Sequence, residues 1–399
     1  MKVCGIIAEY DPFHKGHLYQ LEQAKALSGA DYTICVLGCA FSQRGDAMLF
    51  DSHARAEMAL RNGFDLALGM PFSFSCAQSN RFAAGGVGIL NSLGVVSHLS
   101  FGSESDQLDE LYRTADMLNH PGETFLNALK AALHRGRSFA AAQGEALEAA
   151  LPDIPPALFS SPNFILGVSY LRELEHLGSS IKPVPVRRQS AYHSLEKTGL
   201  ASASAVRAMI AQGEEAALMD ACPQASLDIL RNSPRHPPGA LDRALMVNLL
   251  NRTAASLARM PEVSEGLERR ILAAARQATG RAELVCQCKT RRYPAPRINR
   301  ALTHALVGLT DYPPRPPYAR LLGFRERAKP LLKAIATSGF PLVSRPARST
   351  AAGILQDMRA EELWQVGSGH WAQEAWKRQM LIIRDPEEAK EHEGCGKSM

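Results

Sequence analysis

The stretch Ala8–Ala24, AEYDPFHKGHLYQLEQA, decides how the rest of the chain is read. It follows an apolar run, Val3 to Ile7, and leads into an amphipathic segment from His17 to about Ser28. A tight turn between strand and helix needs only Gly, Pro or Asn for its backbone geometry. Asp11-Pro12-Phe13-His14-Lys15-Gly16-His17 supplies more: two imidazoles and a lysine crowded at a helix N-terminus. Helix N-termini present unpaired N–H groups and partial positive charge, so they hold phosphates. Gly16 lets backbone approach a ligand closely. His14 and His17 can donate hydrogen bonds to phosphoryl oxygens as charge develops in a transition state. The chain carries neither a Walker lysine pattern nor G-x-G-x-x-G, so a phosphate site here is of another kind.

Working outward, Tyr32–Leu37, Phe64–Leu68 and Val95–Phe101 read as further short strands, the last ended by Gly102. Asp51 can cap a helix running to Gly63, and a helical segment covers roughly residues 76–93. Such βαβα alternation implies a parallel sheet wound with helices on both faces, with ligands beyond the carboxyl ends of the strands. Residues 9–17, 38–46 and 102–104 all fall on that edge. After Ser105 the pattern turns helical, with Ser161-Pro162 a strong helix start, Ile181–Val186 a last strand and Ser202 another cap. From about residue 225 the chain reads as mainly helical, broken by the proline-rich 312–317. The expected organisation is α/β: a catalytic unit over 1–220, a helical unit over 225–384, and a charged, frayed tail over 385–399.

Composition narrows the class. No apolar run approaches about 18 residues, so no membrane span is expected. The N-terminus lacks a signal-peptide pattern, which makes the cytoplasm the expected compartment. Eight cysteines in 399 residues do not form a disulfide framework; Cys286 and Cys288 make only C-x-C, so no metal site is expected. The net charge of +5 is unevenly spread, with fourteen Lys/Arg against three acids between Arg281 and Arg348. That excess points to a polyanion or to a solvated basic face.

H-x-G-H after a first strand resembles the signature of the nucleotidylyltransferase superfamily, and SASAVR at Ser202–Arg207 resembles its late S-x-[ST]-x-[IV]-R element. A longer series in order, EYDPFHKGHLYQL, FSQRGD, RAEMAL, SFGSES, SPNFILGVSYL, AYHS and RRYPAPRINRAL, is similar to bacterial tRNA(Met) cytidine acetate ligases over about residues 1–345. The resemblance implies a Rossmann-like parallel-sheet nucleotidylyltransferase domain followed by a mainly helical C-terminal domain. It implies activation of acetate by ATP to acetyl-adenylate, with Mg2+ accompanying ATP, then acetylation of N4 of the wobble cytidine of elongator tRNA(Met). The catalytic pair would be His14 and His17. The nucleotide loop would be Ile7, Ala8, Glu9, Tyr10, Asp11, Pro12, Phe13, His14, Lys15, Gly16, His17, Leu18, Tyr19 and Gln20. Gly102, Asn163, Arg187, Arg188, Ser204 and Arg207 would complete the ATP site, although alternating strand geometry lets only one of Arg187 and Arg188 face it.

Lys289, Arg291, Arg292, Arg297 and Arg300 cluster with Tyr293, a composition suited to RNA: arginines hold phosphates and a ring stacks on an unpaired base. Neither DNA nor a membrane is expected as a partner. Two other readings compete: a small-molecule adenylyltransferase of the pantetheine-phosphate type, and a non-catalytic RNA-binding protein. The chain departs from the family pattern at Gly38-Cys39-Ala40-Phe41, where a polar residue is usual, and at Asp51-Ser52-His53, where Lys-Trp commonly follows the aspartate. The methyl of Ala40 in place of a polar group is expected to leave propionate poorly excluded.

Overall fold

The structure, a computed structural model, describes residues 1–105, 107–187, 201–371 and 374–384. The run Val3–Ala8 forms β1, buried along nearly its whole length, as a strand covered on both faces must be. β2 (Tyr32–Leu37), β3 (Leu66–Gly69), β4 (His98–Ser103) and β5 (Lys182–Arg187) join it in parallel, in the order β5-β4-β1-β2-β3. Helices α1 (Lys15–Ser28), α2 (Ser52–Arg61), α3 (Phe72–Ser75), α4 (Ser79–Ser92), α5 (Leu108–Asn119), α6 (Glu123–His134), α7 (Phe139–Ala150) and α8 (Pro162–His176) follow in turn. The chain steps outward from β1 to β3, then returns to lay β4 against the other side of β1. The crevice between β1 and β4 is therefore the switch point where such sheets bind ligands.

Local chemistry accounts for these elements. Asp51 caps α2 by accepting from the Ala54 N–H at 2.8 Å, and Gly63 follows with a positive φ of 106°. One face of the sheet packs on α4 and α8, the other on α1 and α2. On α4, Gly86 sits so close to the sheet that a β-carbon there would lie 2.5 Å from Ile7. The strand at 95–101 begins later than expected and runs past Gly102, because Gly102 and Ser103 pair with Val186 and Arg187 of β5.

The helical reading beyond residue 225 misses three strands. β6 (Ala319–Arg325) pairs antiparallel with β3, and β7 (Leu342–Val343) and β8 (Leu381–Ile383) pair in parallel with β6. The sheet is thus mixed and eight-stranded, and it spans the boundary expected near 220–225. Strands of two and three residues are too short to show a period. Outside these strands the C-terminal half contains the helices Asp242–Leu250, Leu267–Ala275, Arg281–Cys288, Ala295–Val307 and Ile354–Gly367.

The hairpin closed by the Phe41–Ala47 bridge docks this helical region. Gly45, at φ 91°, offers its carbonyl to Arg281 and Thr303 (2.7 and 2.6 Å); a β-carbon there would meet the Arg300 backbone at 2.5 Å. Trp364 donates its indole N–H to the Met48 carbonyl at 2.7 Å. Among the described residues the cysteines are free, and all but Cys286 are buried. No described helix is long and apolar enough to cross a membrane.

Candidate active site

The two histidines of the turn act first on the backbone. His14 is the N-cap residue of α1, and its Nδ1 accepts from the Gly16 N–H at 3.1 Å. His17, three positions on, returns its Nδ1 to the His14 N–H at 3.3 Å. This is a capping box in which imidazoles replace the usual hydroxyl and carboxylate. A neutral imidazole has one accepting and one donating nitrogen. With both Nδ1 atoms accepting, each neutral ring carries its proton on Nε2. The rings stack at 3.6 Å with a 22° tilt at the carboxyl edge of β1. Gly16 is close packed against the ring of His14, where a β-carbon would meet it at 2.9 Å.

Buried groups fix this turn from below. The Asp11 carboxylate accepts from the Leu49 and Phe50 N–H groups at 2.8 and 3.0 Å, tying the turn to the segment after β2. Arg55 of α2 is wholly buried and donates to the carbonyls of Phe50, Glu9, Gly38 and Cys39 at 2.6–3.0 Å. Burial raises the Glu9 carboxyl above its ordinary pKa, opposed by the Gln43 N–H that it accepts at 2.7 Å. Tyr10, with φ 50°, packs its ring on Phe13 (4.9 Å) and His17 (4.6 Å), and the Asp11–Pro12 peptide is cis.

A second helix N-terminus meets the first. Ser202 caps α9 (Ala203–Gln212) through the Ala205 N–H at 3.2 Å. Arg207 donates to the Asp11 carbonyl at 2.7 Å and to the Ser204 hydroxyl at 3.3 Å. His14, Gly16, His17, Ser204 and Arg207 are thus brought together, although about 190 positions separate the two motifs. Two helix N-termini, each with its partial positive charge, thus face the same turn.

The remaining expected residues divide. Ile7, Tyr10 and Phe13 turn their side chains into the core, and Leu18 packs half-buried against it. Lys15 is exposed and reaches the Met219 carbonyl at 3.4 Å. Gly102 lies on β4 at the same sheet edge, and Arg187 is exposed opposite Ser103 at the end of β5. Asn163 is engaged by Glu104, whose carboxylate accepts from the Asn163 side-chain amide at 2.8 Å and from the Phe164 N–H at 2.7 Å. Arg188 and the AYHS motif lie outside the described residues. Arg55 and Glu104 were missed as individual residues. Both sit inside recognised motifs, RAEMAL and SFGSES, but nothing in a charged side chain's identity announces that it will be buried.

The basic cluster is less uniform than its sequence suggests. Lys289, Arg291 and Arg292 are exposed. Tyr293, however, is buried in the helical core and donates its hydroxyl to the Glu265 carbonyl, so its ring is not presented to a base. Arg297 spans the Glu262 carbonyl and the Ser264 hydroxyl at 2.9 and 2.6 Å. Arg300 forms a largely buried ion pair with Glu262 at 2.9 Å. In a sequence, a structural arginine and a free one look alike.

The departures are also structural. Ala40 is wholly buried in the core shared by Cys39, Phe41, Phe72 and the helical region. Ala40→Asn leaves an amide without a partner in a packed core, and urea denaturation should register a loss of about 1–3 kcal/mol. At the second departure, Ser52 donates to Glu361 at 2.8 Å. Desolvation, reinforced by Arg320, pushes the His53 imidazole down to about 3, so it is neutral.

Comparison with known proteins agrees with this geometry. A family model described as HIGH Nucleotidyl Transferase matches residues 1–379. The chain is 39% identical over 364 residues to the tRNA(Met) cytidine acetate ligase of Acetivibrio thermocellus, covering 86% of this chain and 88% of that one. It is 34% identical over 406 residues to the protein of the same name from Alkaliphilus metalliredigens, covering 91% and 94%. Among solved structures, apo Thermotoga maritima TmcAL superposes with a TM-score of 0.88 at 27% identity, covering 96% of this chain and all of that one. A second crystal form of that protein, bound with alpha-thio ATP, gives 0.87.

Proposed function

The chain belongs to the tRNA(Met) cytidine acetate ligases of the HIGH nucleotidyl transferase family, and we propose that it carries out the reaction for which they are named. In the first step an acetate oxygen attacks the α-phosphorus of ATP, the bond to the bridging oxygen breaks, and pyrophosphate leaves. In the second, N4 of the wobble cytidine of elongator tRNA(Met) attacks the acetyl carbonyl; AMP departs and the amine loses a proton. The single observation that carries this reading is the histidine capping box, which stacks two imidazole donors at the switch point. Donors held this way stabilise charge developing on phosphoryl oxygens without reorganising. Arg207 and Ser204 at the head of α9 suit the β- and γ-phosphates, with Gly102, Asn163 and Arg187 or Arg188 bordering the nucleotide.

Mg2+ would travel with the triphosphate. The Asp11 carboxylate is already committed to two backbone N–H groups and Glu9 to a third, so the ion's ligands would come from phosphate oxygens and water. The α/β strands of residues 1–220 would carry the ATP chemistry, and the helical segment within 225–384 would face the tRNA. A pantetheine-phosphate type of adenylyltransferase would leave the second half of the chain without an RNA role, and a decayed RNA binder would not keep the capping box intact.

The test separates the two half-reactions. Arg291→Glu with Arg292→Glu should leave acetate-dependent AMP formation at the wild-type rate and abolish acetylation of tRNA, read by mass spectrometry of the wobble nucleoside. Arg297 and Arg300 are left out because they support the fold. Normal acetylation by the double variant would remove this segment from the RNA path; no acetate-dependent AMP from the wild-type protein would overturn the reading itself.

A further inference from the structure

Several surface arginines of this chain are paired with acids: Arg61 with Glu57, Arg113 with Asp153, Arg135 with Glu145 and Arg231 with Glu215. One groove gathers cations that are not. Between the segment leaving β7 and the segment entering β8 lies a cleft of about 320 Å³ whose lining includes Arg345, Arg348, Trp376, Lys377 and Arg378, and no acid among the described residues. Arg345, Arg348 and Lys377 are exposed, and none has a carboxylate partner among the described residues. Arg378 alone is neutralised, by Asp51. Like charges gathered in one cleft repel unless an anion sits between them.

Its place in the fold says which anion. β6 runs antiparallel to β3, with Arg320 opposite Gly69, so β6 begins at the sheet edge that carries the nucleotide turn. Val343 pairs with Arg320, and Arg345 and Arg348 follow it; Lys377 and Arg378 precede β8 at the same end. Asp51, which holds Arg378, adjoins Leu49 and Phe50, whose N–H groups hold Asp11 of the turn. Four strand spacings separate β1 from β7, about 19 Å at the usual spacing of about 4.8 Å. Along a nucleic-acid duplex, with about one charge per 1.7 Å of axis, that distance holds roughly 11 phosphates. A free phosphate fills one position, whereas an RNA stem with one nucleotide in the active site runs past both.

We propose that this groove binds backbone phosphates of the RNA substrate, forming a second contact surface apart from Lys289–Arg292. The proposal rests on the RNA half of the function proposed above. It assigns Arg345, Arg348 and Lys377 to phosphate contacts, which add affinity and orientation without reading sequence. Trp376 forms one wall, its indole N–H held by Glu362 at 2.5 Å.

The test measures binding of the full-length protein to a tRNA(Met) transcript across a KCl series, beside acetate-dependent AMP formation. Arg345→Glu with Arg348→Glu should weaken binding about tenfold or more near 0.1 M salt and reduce the log–log salt slope by about two. AMP formation and the thermal midpoint should not change, and Arg345→Lys with Arg348→Lys should restore most of the affinity. If the charge-reversed protein binds as tightly and with the same slope, the groove is off the RNA path and the function proposed above stands. If the wild-type protein forms AMP from acetate and ATP but binds no RNA, the groove proposal and the RNA half of that function fall together. An equal loss on an unrelated RNA is expected of contacts that read no sequence, whereas a loss confined to tRNA(Met) would overturn the assignment to backbone phosphates.

Discussion

Replacing His14 by Asn and His17 by Gln in the same protein should leave it folded and stop it consuming ATP. The pair occupies a capping box, and Asn at the N-cap with Gln three residues later is a normal way to build one. The Asn oxygen can take the Gly16 N–H and the Gln oxygen the His14 N–H, so α1 keeps its first turn. What disappears is the imidazole pair: each amide still carries N–H donors, but at a different reach and without the positive charge an imidazole can take up. Losing one charge-stabilising donor costs about 10² or more in rate, so each single exchange should show that loss and the double should be inactive. Alanine is the poorer choice, because a lost cap by itself costs about 0.5–2 kcal/mol and would mix folding with chemistry. The measurements are acetate-dependent AMP release and a thermal melt. Wild-type turnover in the double variant would place the chemistry elsewhere on the sheet edge.

Arg55→Met should be the most destabilising single change at the site. Four carbonyl groups, from Phe50, Glu9, Gly38 and Cys39, converge on one buried guanidinium. Removing it leaves them facing an apolar chain, and unsatisfied buried acceptors cost about 1–3 kcal/mol each. Even partial relaxation leaves a loss of about 3 kcal/mol or more, readable as a lower urea midpoint. Lysine should rescue little, because a single ammonium cannot span the fork that reaches all four. The carbonyls belong to the ends of β1 and β2 and the entry to α2, so surviving protein should bind ATP weakly. A variant within about 1 kcal/mol of wild type would mean that water replaces the guanidinium and that the turn does not depend on it.

The local code of the active edge lay in the sequence. Val3–Ala8 and Tyr32–Leu37 form the strands that their apolar runs predict, and Asp51 and Ser202 cap the helices they precede. These features depend on neighbours within a few residues, as does the placement of His14 and His17 at a helix start. The βαβ alternation then fixes which edge the loops share. The strands contributed from residue 319 onward, the buried roles of Arg55 and Glu104, and the distinction between free and fold-supporting arginines were decided elsewhere. Arg297 and Arg291 are six positions apart and chemically identical, yet one is spanned by Glu262 and Ser264 while the other is exposed. That difference follows from where remote chain segments come to rest. Helix caps and periodicity are short-range and written in order, whereas burial, ion pairing and the company of a short strand arise only when distant residues meet.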